Sequence, residues 1–213
     1  RRSALLPKST APCDDVGVLT SRRALLIVDM QQDFVAPHGS LSVRGAKEII
    51  PQISVEIETS RRNGDLVVWT QDWHPERTPH FASFGGAWPT HCVAGTAGAE
   101  VVPELAAFQK PHDLLIRKGV AGEDGYSAFS VRDPMLGEAS PTELHDRLKE
   151  QAIQQVRICG VATDWCVKST AIDALRLGYT VEVIRAGIAA VALSPGDEDA
   201  ALREISQAGG VLV

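Results

Sequence analysis

Aromatic residues are scarce in this chain, at 5% of its 213 residues, and only four cysteines occur: Cys13, Cys92, Cys159 and Cys166. Thiols so few and so scattered do not make a disulfide framework, which excludes a small disulfide-stapled fold and fits a reduced, cytoplasmic setting. No apolar run approaches the length of a bilayer crossing, so no membrane partner is expected. Basic clusters are missing too. With a formal net charge of −6 and no dense Lys/Arg stripe, the chain lacks the footprint of a phosphate-backbone binder, and nucleic acid is not an expected partner. Arg1 to Ser21 mix Pro, Ser, Thr and charges without an apolar h-region, so a secretory leader is not expected. The sequence starts at Arg1 rather than Met, and targeting to an organelle stays open. Internal repeats and low-complexity linkers are also absent.

What is present is an ordinary globular composition, 44% hydrophobic and 23% charged, in a chain long enough for one well-buried α/β domain. Short apolar runs alternate with helical patterns. Residues 24–28, 66–70, 114–116, 156–161, 180–184 and 211–213 read as strands apolar on both faces, as in a sheet covered by helices on two sides. Helices are predicted over 46–62, with Pro51 near the start and Gly64 as the stop, over 141–154, over 164–177, and after Ser194-Pro195, where Asp197 and Glu198 face the positive end of the dipole. This alternation predicts a three-layer α/β/α fold with a mainly parallel, Rossmann-like sheet. Residues 24–213 read as a single domain and residues 1–23 as an N-terminal extension. Residues 73–112 form a long aperiodic stretch rich in Gly, Pro, Trp and His, the kind of loop that is usually functional.

In an open α/β sheet, sites gather beyond the carboxyl ends of the strands. Asp29, Lys118 and Cys166 all sit at such ends. Taken singly, Asp29 can be a turn former, Lys118 a solvated charge and Cys166 an inert packed thiol. Together they suit nucleophilic catalysis. The start of a helix and a nearby ammonium favour a thiolate, helix-start amides can hold an oxyanion, and Asp29 can accept the thiol proton.

A second group is Asp72, His74, His80 and His91, a carboxylate and three imidazoles suited to one divalent ion, Zn²⁺, Fe²⁺ or Mn²⁺. A His-rich surface loop is the plainer alternative. His38, His112 and His145 show no partner pattern and read as surface residues. Phe34, Trp73, Trp88 and Tyr126 lie in or beside the loops and can stack on a flat ring or wall off water, although simple packing is an equal reading for Trp73.

Five segments taken together, ALLIVDMQQDF (24–34), TQDWHPERTPHF (70–81), WPTHCVAGT (88–96), RKGVAGEDGYSAF (117–129) and GVATDWCVKSTAIDA (160–174), resemble the isochorismatase-like hydrolase superfamily, and within it the nicotinamidase (pyrazinamidase) branch. The resemblance implies a catalytic triad of Asp29, Lys118 and Cys166. It implies a metal, zinc ahead of iron and manganese, held by Asp72, His74, His80 and His91. It further implies a cis peptide at Val161–Ala162, with the amides of Ala162 and Cys166 as oxyanion hole, and a ring pocket at Phe34, Trp88 and Tyr126. The expected reaction is hydrolysis of a small carboxamide, nicotinamide first; relatives are often oligomeric, so a homo-oligomer stays open while the sequence itself does not fix the oligomeric state. Three rivals stay open: an amidohydrolase of the same superfamily acting on another amide or ureide, a non-catalytic binding module on the same fold, and a structural zinc protein. Isochorismatase itself is disfavoured, because that branch does not use the cysteine. Two departures from compact relatives stand out, the extension before Ala24 and the long segment 132–142.

Overall fold

A computed structural model of the chain describes residues 22–213. The extension therefore lies outside the described residues, apart from Arg22 and Arg23, and so does Cys13. The strands are β1 (Arg22–Val28), β2 (Leu66–Asp72), β3 (Leu114–Lys118), β4 (Ser130–Arg132), β5 (Ala139–Pro141), β6 (Ile153–Val161), β7 (Thr180–Ala189) and β8 (Val211–Leu212). The α-helices are α1 (Gln32–Val35), α2 (Ile50–Asn63), α3 (Pro103–Ala106), α4 (Leu144–Glu150), α5 (Lys168–Arg176) and α6 (Asp197–Gln207). Six strands form one sheet in the order β3-β2-β1-β6-β7-β8, and every pairing in it is parallel.

Alternation along β1 explains the three layers. Leu25 and Ile27 point into a core with Ile53 and Ile57 of α2, while Leu26 and Val28 point into a second core with Leu148 of α4, Ala174 of α5 and Ile205 of α6. A strand buried on both faces has to be apolar throughout, which is why ALLIV reads as an unbroken run. Each such fully buried aliphatic side chain contributes about 1.5–3 kcal/mol.

The helix over 46–62 begins later than its apolar spacing suggests, at Ile50 with Pro51 in the first turn, and ends as expected on Gly64 in the left-handed region (φ 73°). The predicted helix over 141–154 is much shorter. Pro141 closes a small antiparallel hairpin, β4–β5, and the turn after Glu150 puts Ala152 at φ 52° and releases Ile153 into β6. Strands β6 and β7 extend beyond their apolar runs. The helix expected over 164–177 is split into a wide π-type turn, Thr163–Val167, followed by α5. At Gly160 the backbone has φ 114°, and an added Cβ would lie 2.1 Å from the Val28 carbonyl oxygen, so only glycine lets β6 lie this close to β1 before the π turn.

Candidate active site

The parallel register sets Asp72 and Lys118 side by side at the ends of β2 and β3, and Asp29 follows β1 in the adjacent position. Asp29 adopts φ 50°, a left-handed turn that aspartate tolerates. Its carboxylate is fully buried. Thr70 donates its hydroxyl to Asp29 Oδ1 (2.6 Å) and accepts the Asp29 backbone N–H (3.1 Å). Lys118 Nζ then donates to Asp29 Oδ2 (2.8 Å) and Asp72 Oδ1 (2.6 Å), and lies 3.6 Å from Cys166 Sγ. Carboxylate oxygens of Asp29 and Asp72 and the Cys166 sulfur all fall within 4.8 Å of one another. The structure thus brings together all three strand-end residues singled out in the sequence.

One ammonium facing two carboxylates sets the electrostatics. Burial raises the Asp29 carboxyl above its ordinary range, against the pull of Lys118. Burial acts on Asp72 in the same way, but Lys118 and the imidazoles of His74 and His91 outweigh it and hold that carboxyl well below the usual range. Burial opposes the charge on Lys118, yet the two carboxylates keep it firmly cationic. The Cys166 thiol is pushed well up by burial, with Lys118 opposing and Asp29 and Asp72 adding to the rise. Helix start and ammonium do not by themselves yield a thiolate here. Burial dominates at the thiol, and of the two carboxylates facing it Asp29 is the one shifted upward.

Cys166 sits in the π turn that follows a cis peptide between Val161 and Ala162. The Ala162 carbonyl accepts the N–H groups of Trp165 and Val167 (both 3.0 Å), which fixes the peptide against the turn. Asp164, in the same turn, accepts the N–H groups of Val191 and Ala192 (3.0 and 2.8 Å), securing the segment after β7.

His74, His80 and His91 each offer a ring nitrogen within 4.8 Å of the others. His80 Nδ1 is held by Asp124 Oδ1 (2.7 Å) and His91 Nδ1 by the Pro89 carbonyl (2.7 Å), while Nε2 of His74 and His91 lie 3.9 and 3.8 Å from Asp72 Oδ2. Both ring nitrogens of His74 are buried without a hydrogen-bond partner. Buried polar atoms are rarely left so, and an orphaned imidazole facing two others and a carboxylate fits a divalent cation. Gly119 makes room for it: with φ 75°, an added Cβ there would lie 2.4 Å from His74 Nδ1.

The pocket beside these groups is lined by Phe34, Trp88, Tyr126, Trp165, Asp72 and Cys166, among others. Trp88 Nε1 donates to the Tyr126 hydroxyl (3.1 Å), and the Trp165 ring centroid lies 4.9 Å from those of both Trp88 and Tyr126. Trp73 serves packing instead: it lies against the core, with the Arg117 guanidinium 3.6 Å above its ring. His38 and His112 are exposed, whereas His145 is half-buried and bonded to the Tyr179 hydroxyl (3.0 Å).

Several contributors escaped the sequence reading. Thr70 is spaced two from Asp72 on one strand, a signal that was available. Gln31 clamps Asp72 from both sides, accepting its N–H (2.8 Å) and donating to its carbonyl (2.7 Å). Asp33 accepts the Cys92 N–H (2.7 Å) next to His91. Trp165, next to the cysteine, carried a signal by position alone, and Asp124 carried none.

The isochorismatase domain family matches residues 23–213. The chain belongs to the isochorismatase family. It is 36% identical over 211 residues to the nicotinamidase of Escherichia coli, covering 89% of this chain and 93% of that protein. Among solved isochorismatase-like structures, the pyrazinamidase of Pyrococcus horikoshii in complex with zinc has a TM-score of 0.80 and 37% identity, covering 90% of this chain and 98% of the other. PnC1 of L. infantum, in complex with nicotinate, has the same TM-score and identity and covers 91% and 92% of the two chains. The chain is accordingly an amidohydrolase of this family, with the mainly parallel α/β sheet expected for it.

Proposed function

We propose that the chain is a nicotinamidase, hydrolysing nicotinamide, and pyrazinamide as well, to the carboxylic acid and ammonia. The observation that carries this reading is a buried carboxylate–thiol set, Asp29 and Cys166 with Lys118, beside three converging imidazoles, with Cys166, His80 and His91 opening onto one aromatic-lined pocket. Relatives that are nicotinamidases or pyrazinamidases, one solved with zinc and one with nicotinate, support the same substrate class.

In this reading Asp29 takes the Cys166 proton as the thiolate attacks the carboxamide carbon. The amides of Ala162 and Cys166 hold the oxyanion. Asp29 returns the proton to departing ammonia, then acts as base for the water that hydrolyses the thioester. Lys118 stays cationic throughout and steadies both carboxylates. Phe34, Trp88, Tyr126 and Trp165 wall the ring and exclude water. Asp72, His74, His80 and His91 would hold a divalent metal, zinc ahead of iron or manganese, which would supply a Lewis acid suited to a pyridine-type nitrogen.

Ammonia release from nicotinamide by metal-replete protein tests the reading directly. Cys166→Ala is expected to lose at least about 10⁴-fold in turnover. No turnover by the unaltered chain would remove nicotinamide, and activity on an acyclic amide or ureide would then identify the rival substrate class.

A further inference from the structure

We propose that Asp124 is a positioning residue for the metal site, acting through His80. An imidazole has two nitrogens, and Asp124 Oδ1 occupies Nδ1 of His80 at 2.7 Å. Because a carboxylate only accepts, Nδ1 carries the proton and Nε2 is left with its lone pair, on a ring that offers a nitrogen within 4.8 Å of those of His74 and His91. A carboxylate on the far nitrogen also makes a ring a more basic ligand. The reading rests on the metal site proposed above and adds the group that orients one ligand.

His91 and His80 are held in different ways. Pro89, which holds His91, lies two residues away in the same loop. Asp124 comes from a distant segment, 44 positions along the chain, so its placement depends on how that segment is anchored. The anchoring is extensive. Asp124 and Arg132 exchange backbone hydrogen bonds (Asp124 N–H to Arg132 O, 2.7 Å; Arg132 N–H to Asp124 O, 2.6 Å), tying the loop to the β4–β5 hairpin. Asp124 Oδ1 also accepts the Gly125 N–H (2.8 Å). Thr78 donates to the Gly122 carbonyl (3.0 Å) and accepts the His80 N–H (3.2 Å), stitching the same loop to the segment that carries His80. The long segment 132–142, unexplained in the sequence, thus contributes the second strand of the hairpin that braces this carboxylate.

The test is zinc affinity of the full-length chain, stripped by chelation and titrated against a chromophoric chelator, which does not depend on turnover. Asp124→Ala should weaken zinc binding roughly 10–100-fold. Asp124→Asn, whose amide oxygen still accepts a hydrogen bond, should fall between that variant and the parent. In a His80→Ala background, Asp124→Ala should change affinity by less than about twofold, because the group it orients is gone. Affinity within about twofold in Asp124→Ala, or the same loss with and without His80, would overturn the proposal. If the unaltered chain takes up no zinc in this competition, the metal reading itself fails and the inference goes with it.

Discussion

Lys118 of β3 and Arg61 of α2 both meet buried carboxylates beside the β2–β3 half of the sheet, and the two networks are balanced differently. Arg61 meets Asp113 with both terminal nitrogens (3.0 and 2.7 Å), while Trp69 Nε1 and the Lys110 N–H complete the carboxylate (2.9 and 3.0 Å). One positive charge faces one negative charge, and every Asp113 oxygen is served. Around Lys118, a single ammonium faces two carboxylates, a thiol and a neighbouring imidazole cluster. The carboxylates respond in opposite directions, Asp29 up and Asp72 down. A balanced pair keeps its carboxyl below the ordinary range, whereas one cation shared by two carboxylates leaves them shifted in opposite directions.

Breaking the unbalanced network should have the largest effect. Lys118→Met leaves two buried carboxylates without their shared cation, and is expected to lower unfolding free energy in urea by about 3–5 kcal/mol and to abolish ammonia release together. Asp113→Ala should separate those two readouts. It removes a carboxylate that is 4% exposed and strands Arg61, so a loss of about 2–3 kcal/mol is expected with turnover per folded molecule unchanged. Its pH dependence has a definite sign. Burial raises the Asp113 carboxyl, but Arg61, Trp69 and the Lys110 N–H outweigh it and hold it below the ordinary carboxylate range. The stabilisation is then complete above the unfolded-state value and disappears as pH falls through the folded one. The stability gap between parent and Asp113→Ala should therefore close in acid, in urea melts run from neutral pH down to about pH 3. The smallest effect belongs to a pair of the ordinary surface kind. Lys168 and Glu204 lie 3.2 Å apart with side chains 26% and 51% exposed, and Glu204→Gln should cost under about 1 kcal/mol, less still at high salt.

Much of this was legible beforehand. The ALLIV and LVVWT runs announced strands buried on both faces, and the parallel order that follows puts Asp29, Asp72 and Lys118 at one edge. The histidines stood out because three of the chain's six fall between residues 74 and 91. The β4–β5 hairpin did not show, since its strands are three residues each and largely exposed, without an alternating apolar face. Nor did the π turn, because residues 163–177 keep a helical apolar pattern whether the first turn is wide or tight.

Local periodicity encodes which face of an element is buried and where that element stops. On that basis the sequence alone determined the layered α/β fold, the strand ends that carry the reactive residues, and the donor types available to a metal. Tertiary structure decided which groups face each other. Thr70 reaches Asp29 across 41 positions and Lys118 reaches it across 89, contacts that exist only through strand order and register. The upward shift of the Cys166 thiol, the clamp of Gln31 on Asp72 and the hold of Asp124 on His80 all follow from such long-range pairings. Burial and opposing charge act through space, and no spacing along the chain records them.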